Sequence, residues 1–246
     1  MALIHSFESS GNKLFRYRGQ IPVALFAMAI PVIYFTDYTY ISKDFALALI
    51  IASVLITLHG FIIRAYAIGT TPKGTSGRNR TEQVAESLNV SGIYSIVRHP
   101  LYLGNYLMWA GILVFTFNIY FIIIASLLFW LYYERIMFAE ERFLEKKFGN
   151  EYLDWSKKVP AFLPAFGKFK KATVPFSFKT ILRREYSGVV ATALSFAFID
   201  LLRIYFITGR FEWNRLSVYV LGATIIIALI LRTLKHNDLL NEEGRS

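Results

Sequence analysis

Apolar residues in this chain fall in long runs, not in the alternating or three-four patterns of elements with one water-facing side. The longest, Leu101 to Tyr133, carries no charged residue. As a single helix it would be about 50 Å long at ~1.5 Å per residue. That exceeds the ~30 Å hydrocarbon core of a bilayer. Asn118, which follows Thr116-Phe117, lies near its midpoint and predicts a tight hairpin of two short spans. Four further runs approach spanning length: roughly Gln20–Phe35, Phe45–Gly69, Tyr186–Ile207 and Leu216–Leu234. The first is short and holds Pro22 and Pro31; the second is interrupted by His59 and Arg64. After Glu141 a short amphipathic helix is expected, with Phe143, Leu144 and Phe148 as its apolar stripe and Gly149 as its stop. A second is expected over Glu151–Lys158, carrying Tyr152 and Trp155 and ended by Pro160 and Pro164.

The pattern predicts an all-α polytopic membrane bundle of about six transmembrane helices with an amphipathic helical cap. Composition agrees: 55% of the 246 residues are hydrophobic and 17% aromatic. The net charge of +10 would suit a nucleic-acid binder. Its placement points elsewhere, and no nucleic-acid partner is expected. With six spans, one side holds residues 1–20, the loop 71–99, the segment 134–185 and the C-terminal end. That side collects 21 of the 27 Lys and Arg residues, with Arg64, Arg203 and Arg232 inside spans, against Lys43, Arg210 and Arg215 opposite. By the positive-inside rule the basic loops and both termini face the cytoplasm. Residues 1–20 are basic and have no small-residue cleavage site, so no cleaved leader is expected. With no cysteine, disulfides and thiolate metal sites are excluded. No His/Asp/Glu spacing suggests a metal site. Three regions follow: spans and loop over 1–86, a core over 87–166 holding hairpin and cap, and 167–246 with two terminal spans.

The hairpin has a chemical consequence. It returns the chain to its starting face, so Arg98-His99-Pro100 at its start and Glu140-Glu141 past its end share one interface. Pro100 suits the first turn of a helix, where its missing N–H costs nothing. The exposed N–H groups there favour a carboxylate or phosphate. Tyr94 and Tyr102 offer rings to a cation. The plain alternative is a juxtamembrane basic pair with an interfacial tyrosine, and a solvated helix face for the glutamates. Glu141 and Glu145 are like charges four apart, a spacing that needs compensation from a ligand or from Arg142 and Lys146. Arg64 is accounted for by snorkelling. Asp200 and Arg203, deeper and three apart, are expected to pair with each other. Residues 69–80 only superficially suggest a phosphate loop, since no Lys-Ser/Thr follows Gly74. Lys73, Arg78 and Arg80 are candidates for lipid phosphates.

The block Gly92-Ile-Tyr-Ser-Ile-Val-Arg-His-Pro-Leu-Tyr-Leu-Gly104 is followed by Glu140-Glu141, Phe148-Gly-Asn-Glu-Tyr152 and Val159-Pro160 with Pro164. In this order and spacing the pieces resemble the isoprenylcysteine carboxyl methyltransferase family, which overlaps with phospholipid methyltransferases. The resemblance implies an integral membrane enzyme that uses S-adenosylmethionine and acts on a membrane lipid or lipidated acceptor. It further implies that Tyr94, His99, Pro100, Leu101 and Tyr102, backbone near Leu88 and Asn89, and Glu140 bind the cofactor. The family places a substrate-contacting arginine four residues before the first glutamate. Here that position is Ile136; Arg135, one residue earlier, is the candidate catalytic residue. Two other classes compete. A sterol-reductase-like enzyme using NADPH resembles Arg-His-x-Asn-Tyr, which Pro100-Leu101 argues against. A transporter or scaffold would need an intramembrane charge path or an inverted repeat, and the hairpin offers neither.

Overall fold

Asn118 breaks the longest apolar run as its position suggested. The computed structural model describes residues 2–19, 21–75 and 83–245. Within them α4 (Pro100–Val114) ends four residues before Asn118 and α5 (Ile119–Phe148) begins directly after it. The turn holds Phe117 at φ 62°. The Asn118 side chain accepts from the Phe121 N–H at 2.9 Å and donates to Thr36 Oγ1 at 2.9 Å. It thereby caps α5 and ties the hairpin tip to the end of α2 (Ile21–Phe35).

The other helices are α1 (Leu3–Arg16), α3 (Lys43–Gly69), α6 (Asn150–Ser156), α7 (Phe178–Thr208) and α8 (Leu216–His236). Among the described residues there is no strand, only an isolated bridge between Gly92 and Lys170. Four helices, α3, α5, α7 and α8, are long and apolar enough to cross a membrane. α2 and α4, of 15 residues each, would be only about 22 Å long. α8 buries none of its residues against the rest of the protein, as expected for a lipid-facing helix.

Two features depart from the sequence reading. No separate helix starts after Glu141; α5 continues unbroken to Phe148 and stops at Gly149, which takes φ 53°. Residues 134–148 contain no glycine or proline to interrupt it. α1 was not anticipated. It lies along the last turns of α5, with Phe7 edge-on to Phe138 and the Tyr132 hydroxyl donating to the Leu14 carbonyl at 2.7 Å. Gly11 makes the approach possible: a Cβ there would sit 2.1 Å from the Arg135 carbonyl oxygen.

The closest helix pair is α3–α4, which pack through small residues. Gly60 lies against the Gly104 carbonyl and Met108, and Gly111 against Thr57 and the Ser53 carbonyl. Such contacts drive association where lipid removes the hydrophobic incentive. At the hairpin end a buried cluster of Ala29, Ile33, Ile112, Leu113, Phe121 and Ile199 joins α2, α4, α5 and α7. Beside it Asp200 pairs with Arg203 at 3.0 Å, as expected, and also with Arg215 at 2.9 and 3.0 Å and Ser217 at 2.7 Å. Arg203 further donates to the Phe115 carbonyl at 3.0 Å and lies over the Phe117 ring. One carboxylate thus fastens the α7–α8 connection while its partner arginine holds the hairpin turn.

Candidate active site

At the opposite end of the bundle the chain between α3 and α4 folds onto α5. Gly92, at φ 58°, donates to the Lys170 carbonyl and opens a single 3₁₀ turn, Ile93–Ser95. The N–H groups of Arg98 and His99 donate to the carbonyls of Pro160 and Ala161, and that of Ala165 to Ile96. This pairing explains the use of Val159-Pro160 and Pro164: an extended strap runs beside the Arg-His-Pro block. Pro100 then starts α4 at its first position.

Arg98 locks the assembly. It donates through Nε and Nη2 to the Glu141 carboxylate at 3.0 and 3.1 Å, and through Nη1 to the carbonyls of Ser156 and Val159 at 2.6 and 2.9 Å. His99 Nε2 lies 2.9 Å from Glu141 Oε1, so an ionised Glu141 fixes the ring with its proton on Nε2. Glu141 is therefore fully engaged. The Glu141–Glu145 repulsion is relieved within the protein, by Arg98 and His99 on one and Arg142 at 2.6 Å on the other.

Glu140 points elsewhere. It accepts from the Tyr102 hydroxyl at 2.8 Å and lies 3.6 Å from His99 Nδ1, keeping acceptor capacity to spare. It faces a cavity of about 880 Å³, at the large end of the range for ligand sites. Leu88, Asn89, Tyr94, His99, Pro100, Leu101, Tyr102 and Glu140 all line this one cavity. Asn89 shapes the loop by accepting from the Ser91 N–H at 3.2 Å. Trp155 donates to the Tyr94 carbonyl at 3.2 Å, so α6 closes one side. Burial pushes the Tyr94 phenol up to about 12, with Arg184 the main opposing influence. Burial also raises Tyr152 on α6.

Arg135 is not among the cavity residues. Its guanidinium lies 3.3 Å from the centre of the Phe7 ring on α1. Ile136, at the family's arginine position, is fully buried. The geometry thus brings the cofactor candidates together and leaves the catalytic candidate outside. Lys73 is exposed, its N–H bonded to the Gly244 carbonyl; Arg78 and Arg80 lie outside the described residues.

Sequence reading missed a second set of wall residues. Arg64 does not snorkel: it makes a two-pronged pair with Glu185 on α7, at 2.8 and 2.6 Å, and donates to Asn105 at 2.5 Å. Arg64, Glu185, Asn105, Arg184 and Lys235 all line the cavity. The usable signal was a charge inside an apolar run, which in lipid needs a partner. Among the described residues no group of three or more His, Cys, Asp or Glu could hold a metal ion.

Residues 44–151 match the model of the phospholipid methyltransferase family. Over 95 residues the chain is 35% identical to the nickel-cobalt-cadmium resistance protein NccN of Alcaligenes xylosoxydans xylosoxydans, covering 39% of this chain and 42% of that one. It is 28% identical over 111 residues to a protein-S-isoprenylcysteine O-methyltransferase of Schizosaccharomyces pombe, covering 43% and 47%. A protein of the same name from Rattus norvegicus is 31% identical over 114 residues, covering 46% and 40%. The chain therefore spans less than half the length of these relatives. No solved structure matches it. The family match takes in the Arg98-His99-Pro100 block, the hairpin and Glu140-Glu141, so the similarity to phospholipid methyltransferases lies over the part of the chain that carries these residues.

Proposed function

We propose that the protein is an integral membrane methyltransferase that uses S-adenosylmethionine and methylates a lipid or lipidated acceptor. The basic loops and both termini face the cytoplasm, and α2 and α4 cross with the four longer helices, giving six spans. The observation that carries the reading is Glu140: a carboxylate with unused acceptor capacity, set by Tyr102 and His99 on the wall of a large cavity. S-adenosylmethionine supplies a methyl group on a sulfonium, already activated for displacement. The residues present suit it. Glu140 offers acceptors to hydroxyl or ammonium donors, and Tyr94 and Tyr102 offer ring faces to a cation; at the start of α4 the Tyr102 and Leu103 N–H groups are taken by the His99 carbonyl, which leaves that of Leu101 for a carboxylate. Volume is sufficient for such a molecule and an acceptor headgroup together.

For this chemistry the protein's task is mainly alignment and exclusion of water. Arg98, Glu141 and the 160–165 strap fix the block that carries His99 and Tyr102; α6 and α1 close the sides. His99, held through Nε2 by Glu141, serves to orient its neighbours. A carboxylate or phosphate acceptor would need no base. Arg135 takes no part.

The test is calorimetric binding of S-adenosylmethionine to the detergent-purified protein, beside Glu140→Ala and His99→Ala. Wild type should bind. Each variant should bind about tenfold more weakly or worse, since a hydrogen bond to a charged group contributes ~1.5–3 kcal/mol. A folded wild type that binds NADPH and no S-adenosylmethionine would overturn the proposal.

A further inference from the structure

Between Trp155 and Leu182 the chain carries six lysines, Lys157, Lys158, Lys168, Lys170, Lys171 and Lys179, and no Asp or Glu. All six are exposed. Lys157 stands 3.8 Å from Asp154, a pair open to water on both sides, and the Lys168 amine donates to the Lys158 carbonyl. Among the described residues no carboxylate pairs with the other five lysines. Glu242, which reaches this segment from the C-terminal end, takes the Ser177 hydroxyl instead. Outside the described residues the sequence holds one acidic residue, Glu82, and one carboxylate cannot neutralise six lysines.

Large apolar side chains alternate with these lysines and are also exposed: Leu163, Phe166, Phe169, Phe176 and Phe178. Leu163 and Phe166 each keep 76% of their surface open. A row of this kind marks a contact surface. Its depth is set by the helices it touches. Phe162 packs edge-on to Trp130 at 5.4 Å and to Tyr106 at 6.0 Å. Both partners belong to the uncharged hairpin run, and Trp130 is itself exposed. Tyr66, three residues before the end of α3, stands 6.5 Å from Phe169 and 6.3 Å from Phe176. Phe178 opens the spanning helix α7. The segment is thus pinned to the ends of spanning helices, where apolar surface gives way to polar. Its backbone is fixed as well. The Gly92 N–H donates to the Lys170 carbonyl at 3.0 Å, the Lys170 N–H to Ser95 Oγ at 2.8 Å, and the Ser177 N–H to the Gly69 carbonyl at 2.9 Å.

We propose that residues 157–179 form a docking surface for the anionic headgroups of the bilayer around the protein. The lysines take headgroup phosphates, and the exposed rings enter the boundary between headgroups and acyl chains. Lysine suits the first task as a point charge on a flexible stem. Basic amphipathic segments bind membranes by these two contributions together, apolar burial and attraction to anionic lipid. A nucleic acid would satisfy the charge and leave Leu163 and Phe166 unused. An acidic protein would have to reach down to the level of Trp130, where lipid already lies. The surface is separate from the cavity and does not depend on the methyl-transfer reading. The two share one support: the Pro160 and Ala161 carbonyls that hold Arg98 and His99 lie within the segment. Seating it on the bilayer keeps those partners in place.

The experiment is native mass spectrometry of the full chain released from detergent, titrated with phosphatidylglycerol or phosphatidylcholine of matched acyl chains. Wild type is compared with three variants: Lys170→Gln with Lys171→Gln, Lys43→Gln with Arg210→Gln, and Phe166→Ala. The second pair removes the same charge at the opposite end of the bundle. Thermal unfolding checks that each is folded. Wild type should bind phosphatidylglycerol more tightly than phosphatidylcholine, and raised salt should narrow the gap. A basic residue near a membrane surface contributes about fivefold, so the lysine pair should lose about thirtyfold for phosphatidylglycerol. Its phosphatidylcholine affinity and the control pair should stay close to wild type. Phe166→Ala should weaken both lipids alike. Equal affinity of wild type for the two lipids, a preference that survives in the folded lysine-pair variant, or an equal loss in the control pair would each overturn the proposal. An unchanged Phe166→Ala would overturn the seating of the rings. Polyglutamate and polyuridine, added to the protein in phosphatidylcholine nanodiscs, test soluble partners. Capture of either one that phosphatidylglycerol does not displace would assign the lysines to such a partner and overturn the lipid surface.

Discussion

Gly111→Ala tests whether the α3–α4 seam depends on missing side chains. A Cβ at this position would lie 2.1 Å from Thr57 Oγ1, 2.4 Å from the Ser53 carbonyl oxygen and 2.9 Å from the Thr57 nitrogen. The Thr57 hydroxyl can rotate; the backbone atoms cannot. Against the 3.4 Å at which ordinary contact begins, the Ser53 carbonyl leaves a deficit of 1.0 Å, so α3 and α4 must part by about that much. Two effects oppose each other. Alanine is favoured over glycine in a helix interior by about 1 kcal/mol. Overpacking a close contact costs ~1–3 kcal/mol, here at the upper end because backbone must move. The net expectation is a loss of ~1–2 kcal/mol, because the steric cost exceeds the propensity gain. Gly222→Ala on α8 supplies the control, since nothing lies within 4 Å of its Cβ and only the propensity gain remains. Tryptophan fluorescence during denaturation in detergent measures both. Adding Thr57→Ala to Gly111→Ala should recover part of the loss and not all, the Ser53 carbonyl being still in place. If Gly111→Ala proves as stable as Gly222→Ala, the seam is not set by close approach and the argument fails.

Asp200→Ala leaves Arg203 buried without its carboxylate and Arg215 with only Glu212 at 3.9 Å and should cost ~3–5 kcal/mol, the range for breaking a buried ion pair from one side. A change below about 1 kcal/mol by denaturation would refute the lock. The adjacent glutamates should separate. Glu141→Gln weakens the Arg98 clasp and should lower the unfolding temperature; Glu140→Gln should leave that temperature near wild type while reducing donor affinity. Equal effects on both readouts from both variants would show that they share one role. Tyr94 provides a pH signature. Its phenol is held up near 12 from the usual 10, so the native state favours the neutral form. The stability this contributes is whole below pH 10 and is lost as pH rises toward 12, by ~1.4 kcal/mol per unit. Stability curves of wild type and Tyr94→Phe should therefore converge over pH 10–12, and parallel curves would contradict the assignment.

How much of this was legible in the sequence depends on the range of the forces involved. The hairpin at Asn118 was, because bilayer thickness limits helix length and an asparagine at a helix start caps it. The meeting of Arg98-His99 with Glu140-Glu141 followed from that hairpin by counting residues. Asp200 with Arg203 was a local pair three residues apart on one helix. The Arg64–Glu185 pair was not legible, since its members are 121 residues apart and only the packing of α7 against α3 joins them. Nor was α1: its amphipathic pattern is short, and what decides its place is the fit of Gly11 to the Arg135 carbonyl. That fit also explains Arg135. Docking α1 on that face of α5 captures the guanidinium over Phe7 and takes it from the cavity.

The two glutamates show how one helix serves two ends with adjacent residues. Successive residues on a helix point ~100° apart, so Glu140 and Glu141 meet His99 at different ring nitrogens and otherwise have different partners. Glu141 turns toward the loop, where Arg98 and His99 supply three hydrogen-bond contacts to its two oxygens. Glu140 turns toward the cavity, where Tyr102 supplies one at bonding distance and His99 Nδ1 stands back at 3.6 Å. His99 lies between them, and fixing its ring by one nitrogen leaves the other facing Glu140. The tighter Glu141 holds the ring, the less freedom Glu140 and Tyr102 have to collapse into the space beside them. A carboxylate beside a cavity would otherwise gather its own donors and close it. The order of demands along the chain is then physical: Glu141 must be satisfied for Glu140 to remain open, and an exchange that satisfied Glu140 instead would fill the site from within.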